Sequence, residues 1–185
     1  MAAQQGVVCA LLFATATETL SHDLIAFYEQ IKHRPVAYFP GDHAANNYMT
    51  EEEVALLGRL VDAEEKRVSV SKKLALMRGQ KPGEGIDDPD LNLLLLTRNR
   101  IAHLKAEATS LDAEGSTIGG RPDVLGQLSD KGLTRSLKHS EGWIEALETP
   151  AFCLWCKSTA RAAIQDTVIK LPETPNSVAF IRMLK

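Results

Sequence analysis

The sequence predicts an all-α fold, a helical bundle of four principal helices plus short helices, and two observations lead to this class. Apolar residues recur at three- and four-residue intervals over long stretches, whereas no stretch alternates apolar and polar residues as a half-buried strand would. A chain of 185 residues, of which 44% are hydrophobic, is long enough to bury one core. We therefore expect one helical domain over residues 1–172 and a loosely ordered tail over residues 173–185, of which residues 178–181 could dock.

Two principal helices are predicted before residue 80. The apolar spacing from Val7 to Lys32 indicates the first helix, and the polar run 15–19 is a place where this helix could break. A loop over residues 34–49 follows, since it contains two prolines, a Pro-Gly pair and an Asn-Asn pair. Thr50 and Glu53 have the spacing of a capping box, which predicts the start of one long second helix that ends at Gly79.

The other two principal helices have clear starts. Asp88-Pro89 and Thr149-Pro150 each place a capping side chain before a proline at the first helical position. The third helix is leucine-rich on nearly all sides over residues 91–96, so we expect it to be central, although a polar group at residues 97–100 interrupts it. Between these helices, residues 110–140 contain five glycines and predict a loop or insertion with at most one or two short helices.

The charge balance restricts nucleic-acid binding to a local surface. The chain has 21 basic and 24 acidic residues, a formal net charge of -3, so the whole molecule does not attract polyanions. Residues 66–81 form the most basic segment, with six basic residues and no acid. Lys72 and Lys73 in this segment are candidates for contact with RNA, and a solvated helix face is the alternative interpretation.

Cysteine use and hydropathy predict a cytoplasmic protein. Three cysteines, an odd number, do not form a disulfide framework, and no basic residue precedes the first apolar run as it would in a signal peptide. No run reaches the roughly 18 to 20 apolar residues of a membrane span, so we expect no membrane partner. Cys153 and Cys156 have the CxxC spacing of redox and metal sites, but no second pair completes such a site, so we expect packed thiols, no metal and no cofactor.

The residues with the clearest chemical potential are Arg98, Asn99 and His103. A histidine can exchange a proton near neutral pH, and an arginine presents a planar set of donors to phosphate oxygens. At about 100° per residue Asn99 and His103 share one helix face, whereas Arg98 lies about 140° from His103. Both can serve one small site only if the helix is broken or a second protomer contributes. The alternative is a cluster that caps and packs the helix.

The motif Arg98-Asn99-x-x-x-His103, which follows a leucine-rich helix and a long amphipathic helix in an all-α chain of this size, resembles the signature of the HEPN superfamily (higher eukaryotes and prokaryotes nucleotide-binding). The form Arg-Asn-Arg-Ile-Ala-His is most similar to that of abortive-infection and toxin-like members. The resemblance implies a helical bundle that forms a homodimer, with the two motifs near the two-fold axis. It also implies a metal-independent endoribonuclease of a toxin–antitoxin, phage-defence or RNA-processing system, with RNA as substrate and an antitoxin or other regulatory protein as a possible partner.

The same resemblance implies roles for the motif residues. His103 would be the general base or acid, Arg98 would stabilise charge on the phosphoryl group, and Asn99 would orient the loop or a phosphate oxygen. Arg100 and Lys105 would add phosphate contacts. Some relatives have a tyrosine, modified by a partner enzyme, where this chain has Lys105, so regulation by that route is not expected. The alternative is a non-catalytic HEPN-like dimeric module that binds a nucleotide, RNA or a protein partner.

Overall fold

A computed structural model describes residues 5–33, 49–103, 123–137 and 142–184, and all regular structure in these ranges is helical. The eight helices of the described part are α1 (Gln5–Lys32), α2 (Glu51–Glu65), α3 (Val70–Met77), α4 (Pro89–Ala102), α5 (Val124–Asp130), α6 (Trp143–Ala146), α7 (Pro150–Ile169) and α8 (Pro175–Met183). No strand occurs in the described ranges. The predicted all-α class is therefore confirmed. None of these helices is both long and apolar enough to cross a membrane.

The chain divides into two compact units. Unit 1 contains Met1–Ala16 and Asp88–Ala162, and unit 2 contains Thr17–Asp87 and Ala163–Lys185. Unit 1 thus holds α4, α5 and α6, and unit 2 holds α2, α3 and α8, while α1 and α7 contribute residues to both.

The first helix is continuous. The break considered at residues 15–19 does not occur, since α1 runs without interruption from Gln5 to Lys32. Thr17 is fully buried, and the Ser21 hydroxyl donates to the Glu18 carbonyl oxygen at 3.2 Å. Small hydroxyl side chains that bond within their own helix do not require the helix to open. The loop predicted at residues 34–49 lies outside the described residues except for Met49.

The predicted long second helix is wrong, because α2 ends at Glu65 and a separate helix, α3, begins at Val70. Arg67 has a left-handed backbone conformation with a φ of 53°. The Arg67 N–H bonds to the Glu64 carbonyl and the Val68 N–H to the Ala63 carbonyl, both at 2.9 Å, which is the Schellman pattern of a helix end. Glycine usually occupies the left-handed position, so an arginine there does not mark the end in the sequence.

The helix starts follow the predicted caps. Glu53 N–H donates to the Thr50 hydroxyl and Thr50 N–H donates to the Glu53 carboxylate, which completes the capping box. Leu91 N–H donates to the Asp88 carboxylate at 3.0 Å, and Phe152 N–H to the Thr149 hydroxyl at 3.0 Å.

Unit 1 has an apolar core built on α4 and α7. Its buried members are Ala10, Ala14, Leu93, Leu94, Ile101, Val124, Leu128, Leu133, Leu147, Phe152, Cys156 and Ala160. Leu96 is 38% exposed, so α4 is not buried on all sides as the leucine-rich pattern suggested. The predicted insertion at 110–140 is described only from residue 123 to 137, where it contains the short helix α5, and its remainder lies outside the described residues.

Unit 2 has an ordered C-terminal segment where the sequence predicts a loosely ordered tail. Residues 175–183 form α8, whose N-cap Thr174 accepts from the Ser177 N–H at 3.1 Å. Phe180 is buried, and its ring centroid lies 5.5 Å from that of Phe27 on α1. The alternative that residues 178–181 dock agrees with the buried Phe180. The loose order was wrong because α8 is held by contacts with residues far away in the sequence, Phe27 and Glu53.

Candidate functional site

The Arg-Asn-x-x-x-His motif lies at the C-terminal end of α4. Helix α4 ends at Ala102, and His103 is its C-cap residue, with its backbone N–H bonded to the Asn99 carbonyl at 3.1 Å. Asn99 and His103 are exposed and Arg98 is half-buried. His103 is thus exposed to solvent with respect to the described residues.

The buried hydroxyl of Thr97, the residue before the motif, has its hydrogen-bond partner within α4. Of the polar residues 97–100 only Thr97 is fully buried, and its hydroxyl donates to the Leu93 carbonyl at 2.7 Å. The next three side chains lie near the helix end and are half-buried or exposed. Buried hydroxyl groups that find a partner do not carry the desolvation penalty of an orphan.

Arg98 and Asn99 are joined side chain to side chain. Arg98 Nη1 donates to Asn99 Oδ1 at 3.0 Å. The Asn99 side chain therefore orients one nitrogen of the guanidinium, and Asn99 itself lies about 40° from His103 around the helix. The structure brings Arg98 to Asn99, and Asn99 shares its helix face with His103.

Arg100 contacts a residue that sequence reasoning missed. Its Cζ lies 5.2 Å from the ring centroid of Trp143, the first residue of α6, within the range of a cation–π contact. Trp143 is half-buried and packs against the unit 1 core. No pattern in the sequence links the two positions, because the contact is made by the tertiary fold.

The structure corrects one of the predicted RNA-binding lysines. Lys73 is buried in α3, and its ammonium lies 2.6 Å from Glu64 Oε1, so its charge is neutralised within unit 2. Lys72 is exposed on the same helix. Lys105 lies outside the described residues.

Other basic residues of the segment 66–81 also form hydrogen bonds and ion pairs with neighbouring side chains. Arg78 donates from Nε to the Thr167 hydroxyl at 3.0 Å and forms an ion pair with Asp166 at 2.5 Å. Lys66 is paired with Asp62 at 2.7 Å. The segment also belongs to unit 2, whereas the motif belongs to unit 1. These pairs favour a structural role for much of its charge.

The three cysteines of unit 1 are free thiols near one another. Cys156 is fully buried, so the expected packed thiol is confirmed at this position, and burial raises its pKa. Cys153 is partly exposed, and its Sγ lies 3.6 Å from the Gln5 carbonyl oxygen. Burial, together with a hydrogen bond to Cys9, raises the pKa of Cys153 to about 12. Within the described residues no group of three His, Cys, Asp or Glu side chains is arranged to hold a metal ion.

The fold and the site together define an all-α protein with an exposed Arg-Asn-x-x-x-His cluster at a helix end. The chain matches no protein-family model, and neither a curated protein nor a solved structure shows significant similarity to it.

Proposed function

We propose that this chain is a HEPN-like endoribonuclease that cleaves RNA without a metal ion. The observation that supports this proposal is the accessible cluster at the end of α4, in which Arg98 is hydrogen-bonded to Asn99 and His103 is exposed. We further propose that the chain has a HEPN-like helical fold, and that the protein acts in a toxin–antitoxin, phage-defence or RNA-processing system.

The chemistry follows from the side chains of the cluster. His103 accepts the proton of a ribose 2'-hydroxyl, and the oxygen attacks the adjacent phosphorus. The bond from phosphorus to the 5'-oxygen breaks, and that oxygen takes a proton from an acid. The products are a 2',3'-cyclic phosphate and a 5'-hydroxyl. DNA has no 2'-hydroxyl and is therefore not a substrate.

In this proposal Arg98 contacts the phosphoryl group and Asn99 positions Arg98. Arg98 stabilises the negative charge that develops on the non-bridging oxygens, and Asn99 orients the guanidinium through their 3.0 Å hydrogen bond. A guanidinium presents several N–H donors in one plane, which matches the geometry of phosphoryl oxygens.

A homodimer would complete the site. One imidazole cannot accept the proton of the 2'-hydroxyl and donate one to the leaving oxygen in the same step, and on a single helix Arg98 lies about 140° from His103. A second copy with its α4 end facing the first supplies another histidine and another arginine. Light scattering should then give twice the mass of one 20.2 kDa chain.

The decisive experiment is cleavage of a labelled mixed RNA pool by the purified chain in EDTA, with the ends of the products identified. Wild type should leave 2',3'-cyclic phosphates, and His103→Ala and Arg98→Ala should each lower the rate by about a hundredfold or more. His33→Ala is the matched control, because His33 is also exposed but pairs with Glu29 at the end of α1. Equal cleavage by wild type and His103→Ala would reject the proposal.

A non-catalytic binding module is the second candidate, favoured by the contact of Arg100 with Trp143. Cationic side chains near a helix C-terminus interact favourably with the helix dipole, so this cluster can also serve to cap and pack α4. That function predicts no cleavage by wild type and a loss of stability or of dimerisation in His103→Ala. Circular dichroism and light scattering on the same two proteins separate the candidates.

A further inference from the structure

Arg100 and Trp143 form a cation–π contact next to the proposed catalytic cluster. The guanidinium lies over the indole ring, with Cζ 5.2 Å from the ring centroid. Both side chains are half-buried, and Trp143 packs against the unit 1 core. The core thus supports the indole, and the indole in turn orients the guanidinium.

Arg100 is also a close neighbour of His103 on α4. The two residues are three positions apart, which places them about 60° apart around the helix and on adjacent turns. Side chains with this spacing have Cβ atoms about 5 to 6 Å apart. A group bound at Arg100 is therefore within a nucleotide's reach of the imidazole.

We propose that Arg100 and Trp143 form a stacking subsite for one unpaired nucleobase of an RNA chain. This inference rests on the proposed ribonuclease function and adds a binding determinant to it. A guanidinium and an indole are both planar, and each is a group on which a nucleobase stacks. Proteins that bind single-stranded RNA stack its bases on aromatic rings and on arginine planes. Every base has a π-face, so the subsite discriminates little among the four bases. It favours unpaired RNA over duplex RNA, in which the bases are already stacked on one another.

The subsite is tested by the binding of an RNA that the protein cannot cleave. A fluorescein-labelled, fully 2'-O-methylated single-stranded oligonucleotide has bases and phosphates but no 2'-hydroxyl. An abasic ribose-phosphate oligomer of equal length supplies the phosphates alone. Wild type should bind the first more tightly in fluorescence anisotropy. Trp143→Leu should weaken binding of the base-bearing oligomer by about 5- to 150-fold, with little effect on the abasic oligomer.

Two conservative variants separate stacking from packing and charge. Trp143→Phe keeps an aromatic face and should retain most of the preference for bases. Arg100→Lys keeps the positive charge but loses the planar group, so it should retain binding of the abasic oligomer and lose preference for the base-bearing one. Equal affinity of wild type for the two oligomers, or a preference unchanged in both Trp143→Leu and Arg100→Lys, would overturn the proposal.

Tryptophan fluorescence tests stacking while Arg100 and Trp143 are both kept. The chain has two tryptophans, so Trp155→Phe makes Trp143 the only one. Trp155 stacks on Phe152, and its Nε1 is buried without a hydrogen-bond partner among the described residues, so phenylalanine should be tolerated there. The base-bearing oligomer should quench the remaining emission and the abasic oligomer should not. An emission unchanged by both would contradict stacking.

These results are distinguishable from failure of the ribonuclease proposal. Binding that depends on bases, without cleavage of natural RNA, would support the subsite and reject the nuclease. Cleavage that depends on His103 but is unchanged in Trp143→Leu, with binding also unchanged, would support the nuclease and reject the subsite.

Discussion

Asn176 Nδ2 donates a 3.0 Å hydrogen bond to Glu53 Oε2 and so joins residues 123 positions apart. The Glu53 carboxylate is fully buried, and it also accepts from the Thr50 N–H at 2.8 Å and from the Thr174 hydroxyl. The first turn of α2 and the first turn of α8 therefore share one carboxylate. Tyr28 and Ser177 continue this polar group, with their hydroxyl oxygens 3.0 Å apart.

Removal of the Glu53 carboxylate should destabilise unit 2. Glu53→Ala leaves buried donors on both helices without an acceptor, so we expect a loss of about 3 kcal/mol in the free energy of unfolding. Glu53→Gln replaces one accepting oxygen by a donating NH₂, which must face another donor, and should cost about 1 to 2 kcal/mol. Urea unfolding followed by circular dichroism measures both losses.

The matched control for this measurement is Glu52→Gln. Glu52 is exposed in the same turn of α2, so its change should stay within about 0.5 kcal/mol. A Glu53→Gln variant as stable as the control would show that the shared carboxylate does not hold α2 and α8 together.

The sequence predicts the helix starts but not the end of α2, because starts and ends are marked by different local features. The starts at Thr50, Asp88 and Thr149 are marked by side chains that accept backbone N–H bonds, and such side chains are visible in the sequence. An end is marked by a backbone conformation, which only glycine reveals reliably. Gly79, with a φ of 76°, marks a helix end in the sequence, whereas Arg67 has the same left-handed conformation in a residue that does not predict an end.

Because Arg67 and Gly79 share the left-handed conformation, substitutions at the two positions should change the stability of the protein in opposite directions. Arg67→Gly should stabilise the protein by up to about 1 kcal/mol, because a side chain in the left-handed region is strained and glycine is not. Gly79→Ala should destabilise it by about 1 kcal/mol for the same reason, since no atom lies near its missing Cβ and only the backbone is affected. Thermal unfolding measures both changes, and a destabilised Arg67→Gly variant would contradict the assignment of this helix end.

The candidate site was predictable in composition but not in its surroundings. Arg98 and Asn99 lie in the last turns of α4 and His103 is its C-cap, so the local sequence is enough to predict that the three residues lie close together. The burial of Lys73 depends on Glu64, and the contact of Arg100 depends on Trp143. Both are tertiary contacts, and no periodicity within a single helix reports them.

The thiols of α7 should react slowly at neutral pH. Only the thiolate is nucleophilic, and the raised pKa values of Cys153, about 12, and of Cys156 leave very little thiolate at pH 7.5. Iodoacetamide should label these two positions at least about a hundredfold more slowly in the folded protein than in urea. Mass spectrometry of peptides at timed intervals gives the two rates separately. Rapid labelling of Cys153 in the folded chain would contradict a raised pKa of its thiol.

The stability of the protein should fall in alkali. Burial raises the pKa of Tyr28 above its ordinary value of 10.0, and burial with the hydrogen bond to Cys9 raises that of Cys153 from 9.0 to about 12. The folded state therefore keeps these protons at pH values where the unfolded chain has lost them. Fewer protons on the unfolded state mean that the free energy of unfolding decreases as pH rises. The stabilisation is complete below about pH 9 and is lost progressively toward pH 12.

Urea unfolding at pH 8, 9, 10 and 11 tests the two groups separately. Cys153→Ser replaces the thiol by a hydroxyl that does not titrate in this range, so its decline with pH should be shallower than that of wild type from pH 9 upward. Tyr28→Phe should lower stability at every pH, because it removes the hydroxyl contact with Ser177, and should flatten the decline only above pH 10. The other side chains are the same in all three proteins, so the difference between each variant and wild type isolates the substituted group. Declines parallel to wild type in both variants would mean that neither proton is held more tightly in the folded state.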